Sequence, residues 1–177
     1  FRDWKEGGHG QVNLRKAIVE SSDTYFYELA NDLGIDAIHN FIKQFGLGQL
    51  TRIDLDAEAT GILPSKDWKK RRFKQKWFAG DTISVGVGQG YNLTTPLQLA
   101  VATAALANKG GMFRPYLVKQ IENAQTAEVK NINPERTRLI ELKPENIEFV
   151  KDAMIGVTKP GGTAARAGYS AQYEFAG

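Results

Sequence analysis

The sequence predicts an α+β fold, mainly helical with a few strands. Three observations carry that expectation. Apolar residues recur at helical spacing through residues 13–45. Thr94-Thr95-Pro96 places a hydroxyl cap and a proline at the head of an almost wholly apolar run, 97–107. Apart from a short stretch near 53–55, strand-like patterning lies at 112–122 and 128–132, so the few strands mostly follow several helices instead of alternating with them.

The elements are expected in this order. Leu14, Ala17 and Ile18 share one helical face. Phe26, Leu29, Ala30 and Leu33 share another, and Gly34 suits the position just past a helix end. Between the two faces lie Ser21, Ser22 and Asp23, whose short side chains compete with the helical backbone; Asp23 is expected to cap a helix starting at Thr24. A third helix is expected over 35–45, with Ile35, Ile38, Ile42 and Phe45 inward and Gly46 ending it. Residues 46–95 read as mostly loop, with a short strand near 53–55. The 97–107 helix is apolar on most faces and is therefore expected to be buried, with Gly110-Gly111 stopping it. Residues 112–122 read as a strand and 128–132 as its hairpin partner. Pro144 opens a helix with Ile147, Val150, Met154 and Val157 on one face. Pro160-Gly161-Gly162 is a turn, and 173–177 is extended.

Composition narrows the function. At 177 residues the chain can bury one domain core. No apolar run approaches the roughly 18 residues needed to span a bilayer. The start, Phe1-Arg2-Asp3-Trp4, is neither an initiator Met nor a signal peptide. The chain is therefore expected to be an internal piece of a longer protein, with any anchor or export signal outside it. There is no Cys, which excludes disulfides and thiolate metal sites. The net charge of +3 hides a local excess over 66–76, with seven Lys or Arg and one Asp. That run reads as a solvated basic face, the sharper alternative being contact with an anionic membrane surface or protein. No nucleic-acid motif accompanies it.

The candidates for chemistry are few. Gly86-Val87-Gly88-Gln89-Gly90 fits neither dinucleotide nor P-loop spacing and reads as a structural turn against the buried helix. Asp3 and His9 are too few for a metal site by themselves and read first as surface hydrogen-bonding groups. His39 sits beside core positions and reads as structural. With only two histidines, a Ser-His-Asp site is not indicated; serine acyl transfer without histidine borrows a lysine as base. The serine enzymes that do so carry SxxK, a Ser-x-Asn triplet and Lys-Ser/Thr-Gly. Neither SxxK nor Lys-Ser/Thr-Gly occurs in these residues, and Ser21-Ser22-Asp23 fits the triplet with Asp in third place.

The surroundings of that triplet carry a resemblance. Val19-Glu20-Ser21-Ser22-Asp23-Thr24-Tyr25-Phe26-Tyr27 resembles the segment around the second motif of class B penicillin-binding proteins. So does Gly80-Asp81-Thr82-Ile83-Ser84-Val85-Gly86-Val87-Gly88-Gln89-Gly90, running on to Thr94-Thr95-Pro96-Leu97-Gln98-Leu99-Ala100. Gly161-Gly162-Thr163-Ala164 and Tyr173-Glu174-Phe175-Ala176-Gly177 look like the approach to the Lys-Thr-Gly strand. With Arg2-Asp3-Trp4 and Trp68-Lys69-Lys70-Arg71-Arg72-Phe73-Lys74, the chain is most similar to the elongation-specific branch of the family, over nearly its whole length.

The resemblance implies that residues 1–177 are part of a penicilloyl-serine transferase (transpeptidase) domain. It implies a peptidoglycan D,D-transpeptidase on the periplasmic face of the bacterial inner membrane, with a single N-terminal anchor outside this chain. Its partners would be peptidoglycan stem peptides, β-lactams and elongation-complex membrane proteins. Ser21 would pass a proton toward the leaving group and Asp23 would orient a substrate or drug amide. No cofactor is required. Some members hold a structural zinc through an upstream Asp, residues matching Asp3 and His9, and a Cys where this chain has Ser22, a poor zinc ligand beside a thiolate. The chain alone is expected to be inactive. A β-lactam-sensing receptor or non-catalytic binding module of the same fold, and a class D-type β-lactamase, are the alternatives; the segments around Gly80 to Ala100 argue against the last.

Overall fold

The computed structural model describes residues 2–177, which cluster into two compact units. The first comprises the described residues up to Ile38, with Pro64–Tyr91 and Leu142–Gly177; the second comprises His39–Leu63 and Asn92–Glu141. No helix among the described residues is long and apolar enough to cross a membrane.

In the first unit, α1 (Leu14–Val19) starts where the Asn13 side chain accepts the Lys16 N–H at 2.9 Å. The long helix α2 (Asp23–Ile42) follows after a three-residue gap and is interrupted at Gly34, which has φ 73° and ψ 157°. Then come α3 (Lys66–Phe73), capped by Ser65, α4 (Ala79–Gly86), α6 (Pro144–Val157) and the short α7 (Ala165–Gly168). The core is small and aliphatic: Ala17, Ala30, Ile35, Val85, Ile147 and Ala153. Helices α1 and α6 pack together, and Gly156 makes the approach possible. A Cβ there would lie 2.7 Å from Val19 Cγ2, too close for any other residue without displacement.

In the second unit, a 3-10 turn (Lys43–Phe45) ends at the left-handed Gly46, and α5 (Pro96–Ala107) carries a capping box. Thr95 Oγ1 accepts the Gln98 N–H at 3.1 Å, and Gln98 Oε1 accepts the Thr95 N–H at 3.0 Å. Gln98 is buried, and its amide group also donates to Gln49 O at 2.6 Å and Thr60 O at 2.8 Å. One side chain thus pins two loop segments to the helix start. Strand β1 (Gly111–Phe113) pairs antiparallel with β4 (Arg136–Leu139), with an irregularity between Met112 and Phe113. Strand β2 (Gln120–Glu122) pairs antiparallel with β3 (Val129–Asn131).

The helical character, the break after Val19, α5, α6 and the β2–β3 hairpin agree with expectation. Several details differ. The second and third expected helices form one element interrupted at Gly34 and ending in the 3-10 turn. Asp23 is the first helical residue and not the cap of Thr24; the Asp3 carboxylate takes the Thr24 N–H, at 3.1 Å. Residues 53–55 form no strand, and the stretch 46–95 holds α3, α4 and an isolated bridge between Ile62 and Leu93. Helix α3 is mostly Lys and Arg and shows no strong apolar period, whereas α4 is only eight residues long and holds Gly, Thr and Ser, residues that favour helix weakly. The basic run is not wholly solvated: Lys69 is buried. Gly86 ends α4, and the neighbour it meets is Ala30 of α2. Helix α5 is not covered on most faces, since Leu99 is 57% exposed. The expected 112–122 strand splits around Pro115, which has no N–H to give a ladder, and β4 was not foreseen as a strand at all.

Candidate active site

The Ser21-Ser22-Asp23 triplet lies at the junction of α1 and α2. Helix α1 ends in a Schellman turn: the Ser22 N–H reaches Ala17 O at 2.9 Å and the Ser21 N–H reaches Ile18 O at 3.3 Å. Such a turn needs a left-handed residue, usually glycine, and here it is Ser21, with φ 51°. A side chain in that conformation costs on the order of 1–2 kcal/mol. The strain presents the Ser21 hydroxyl at the surface, 2.9 Å from Thr163 Oγ1. The Trp4 indole N–H covers the helix end by donating to Ser21 O at 2.9 Å and Glu20 O at 3.2 Å.

Below this surface, Asp3 is the hub. Its Oδ2 accepts the Thr24 N–H, the Thr24 hydroxyl at 2.8 Å and the Ser22 hydroxyl at 3.2 Å. Its Oδ1 lies 2.9 Å from His9 Nε2, whose other ring nitrogen, Nδ1, lies 2.8 Å from Glu20 Oε2. Lys16 Nζ donates to His9 O at 2.7 Å, and Trp4 packs edge-on against the imidazole. Asp3 and His9 are therefore not surface groups: their side chains are 5% and 1% exposed. Ser22 is 1% exposed.

The charges follow from these contacts. Burial alone would raise the Asp3 carboxyl, but the Thr24 amide and hydroxyl and the His9 ring outweigh it and hold it well below the usual carboxylate range. Glu20 is lowered first by its bond to His9. The Glu20 bond, with Asp3 on the opposite edge, raises His9 against the opposing effect of burial. Ionised carboxylates only accept, so both ring nitrogens carry protons and His9 is an imidazolium between two anions. Asp23 is shifted the other way: burial and then the Asp3 charge raise it.

The fold thus brings together Ser21, Ser22, Asp3 and His9, with Asp23 opening α2 beside them. Sequence reading missed Trp4, Glu20, Thr24 and Thr163 as parts of the same cluster. Glu20 and Thr24 flank the triplet, so their proximity was legible; Thr163 lies in a segment that carries the family resemblance, but nothing local ties it to Ser21. The two carboxylates approach opposite edges of the His9 ring and do not converge on one point. No group of three or more His, Cys, Asp or Glu side chains able to hold a metal occurs among the described residues.

Comparison with known proteins places this geometry. The family model described as the penicillin binding protein transpeptidase domain matches residues 1–177. The peptidoglycan D,D-transpeptidase MrdA of Haemophilus influenzae is 52% identical over 124 residues, 70% of this chain and 19% of that protein. The Salmonella typhimurium protein of the same name is 41% identical over 177 residues, 99% of this chain and 28% of that protein. The chain therefore matches between 19% and 28% of the length of these relatives. Among solved structures, Pseudomonas aeruginosa PBP2 in complex with WCK 5153 superimposes with a TM-score of 0.85 at 40% identity, covering 98% of this chain and 39% of that one. Helicobacter pylori PBP2 in complex with MreC gives 0.83 at 32% identity, covering 99% of this chain and 31% of that one. The strained Ser21 turn thus sits in a transpeptidase framework, and the chain belongs to the penicillin-binding protein transpeptidase domain family.

Proposed function

We propose that this chain contributes the second-motif side of the active site of a peptidoglycan D,D-transpeptidase that serves cell elongation. The observation that carries the proposal is the Ser21 hydroxyl, held at the surface by a strained turn that a glycine would form more easily. In the reaction, an SxxK serine outside these residues attacks the penultimate D-alanine carbonyl of a stem peptide, and the terminal D-alanine leaves. An acceptor amine then resolves the acyl-enzyme. Ser21 passes a proton toward the leaving nitrogen, and Asp23 orients the amide of the donor peptide or of a β-lactam that mimics it.

The same proposal covers the setting. The intact protein works at the periplasmic face of the inner membrane on a single N-terminal anchor. Its partners are stem peptides, β-lactams and membrane proteins of the elongation complex; the MreC complex of the Helicobacter pylori relative supports the last. The proposed chemistry requires no cofactor. The zinc that the resemblance suggested finds two good ligands here, Asp3 and His9, while Ser22 offers a neutral hydroxyl and Glu20 occupies the second His9 nitrogen. The imidazolium and its two carboxylates hold the motif in place instead.

The test is Ser21→Ala in the intact enzyme. Acylation by a labelled penicillin is expected to slow on the order of 10²- to 10⁴-fold, with the melting temperature nearly unchanged. A lower melting temperature with an unchanged acylation rate would sink the catalytic role of Ser21.

A further inference from the structure

We infer that Thr163 is a positioning residue for acylation, its hydroxyl orienting Ser21 Oγ for proton transfer. The inference rests on the proton-transfer role of Ser21 proposed above. The two hydroxyls are 142 residues apart in the chain and 2.9 Å apart in space.

The backbone holds Thr163 at that place. The Thr163 N–H donates to Val19 O at 3.2 Å, and the Ala164 N–H donates to Val157 O at 3.0 Å. The preceding turn lies directly on the end of α6: a Cβ on Gly162 would be 2.2 Å from Val157 O and 2.4 Å from Gly156 O. Only glycine allows that approach. The residues that read as a turn in the sequence therefore do a second task. They carry a hydroxyl from the end of α6 to the end of α1.

The chemistry of two hydroxyls explains the need. Each has one proton and two acceptor sites. An exposed Ser21 side chain without a partner would distribute over staggered rotamers; the Thr163 bond selects one. When Thr163 donates to Ser21 Oγ, the Ser21 proton is free for the leaving group. In the transfer step the Ser21 O–H bond breaks as its proton goes to the leaving nitrogen. A new O–H bond forms with a proton from the protonated lysine amine that served as base. Ser21 ends neutral, the amine ends neutral, and Thr163 gains and loses nothing. Its hydrogen bond stabilises the Ser21 oxygen while the two transfers are out of step.

The test uses the full-length enzyme with Thr163→Val, Thr163→Ser and Ser21→Ala, singly, together with Ser21→Ala/Thr163→Val. Penicillin acylation rate and melting temperature are measured on each. Thr163→Val is expected to slow acylation roughly 10- to 100-fold, Thr163→Ser to restore most of the rate, and Thr163→Val to add nothing once Ser21 is Ala. Should Thr163→Val fold poorly, the Ser variant with the double-mutant comparison made on Thr163→Ala serves the same purpose. Wild-type acylation by Thr163→Val beside a slow Ser21→Ala would overturn the inference while sparing Ser21. Equal slowing by Thr163→Val in both backgrounds would overturn it too, because Thr163 would then act independently of Ser21. A Ser21→Ala enzyme that acylates normally would remove the reading on which the inference stands.

Discussion

Lys69 Nζ lies 2.5 Å from Asp81 Oδ2, and the two are unequally buried, with the lysine 2% and the aspartate 16% exposed. The pair ties α3 to α4. The ammonium is also enclosed by aromatic rings, 4.5 Å from the Phe78 centroid and 5.3 Å from that of Tyr91. Asp81 has a second duty, accepting the Phe78 N–H at 2.8 Å at the start of α4. Removing one member of a buried pair costs about 3–5 kcal/mol, mostly because the survivor is stranded. Asp81→Asn is therefore expected to destabilise by about 3 kcal/mol. Lys69→Met should cost less, because Asp81 keeps its backbone donor and some solvent. Urea unfolding of the two variants tests the order; equal losses would mean that the attraction itself, and not the stranded charge, sets the cost.

The left-handed Ser21 makes a prediction that separates backbone from hydroxyl. Ser21→Gly relieves the strain and Ser21→Ala does not, so the glycine variant should be more stable than the alanine variant by about 1 kcal/mol. Both lose the hydroxyl, so both should acylate slowly. Melting curves and penicillin acylation on the same two proteins check it. A glycine variant less stable than the alanine one would mean that the turn is not strained.

Asp54 clamps a loop by accepting the Leu117 N–H at 2.8 Å and the Val118 N–H at 3.0 Å. The Val118 and then the Leu117 amide hold its carboxyl below the ordinary value. A folded pKa below the unfolded one contributes stability that is fully present above the unfolded pKa of about 3.9 and is lost as pH falls through the folded value. Wild type should therefore melt above Asp54→Asn at neutral pH, and the gap should close as the solution is acidified through and below the ordinary carboxylate range. Melting temperatures across that range check the sign; a gap that widens on acidification would contradict it.

Ser22 is buried 3.2 Å from Asp3 Oδ2, in the place of a thiolate ligand in the zinc-holding relatives that the sequence resembles. Ser22→Cys in the full-length enzyme should create zinc affinity that wild type lacks, since a thiolate joins Asp3 and His9. Metal content after dialysis against a mild chelator is the measurement. Stoichiometric zinc in the wild-type protein would refute the metal-free reading.

What the sequence determined by itself is what depends on near neighbours. The 3.6-residue period placed α6, the Thr95-Pro96 start placed α5, and strand-like patterning placed the β2–β3 hairpin. The Ser21-Ser22-Asp23 break and the motif segments around it pointed to the family before any coordinate was known. What only the tertiary structure decided is which distant groups meet. Asp3 caps α2 from outside the helix, so Asp23 is free of that duty. Lys69 is buried in a run that reads as solvated, because its partners arrive on α4 and on Phe78 and Tyr91 to either side of it. Ser21 is left-handed because the Schellman turn must close before α2 can start. Thr163 reaches Ser21 because α6 packs on α1. Periodicity records which face of an element is apolar, but the identity of the group across that face is set by how elements pack, and packing has no period in the chain.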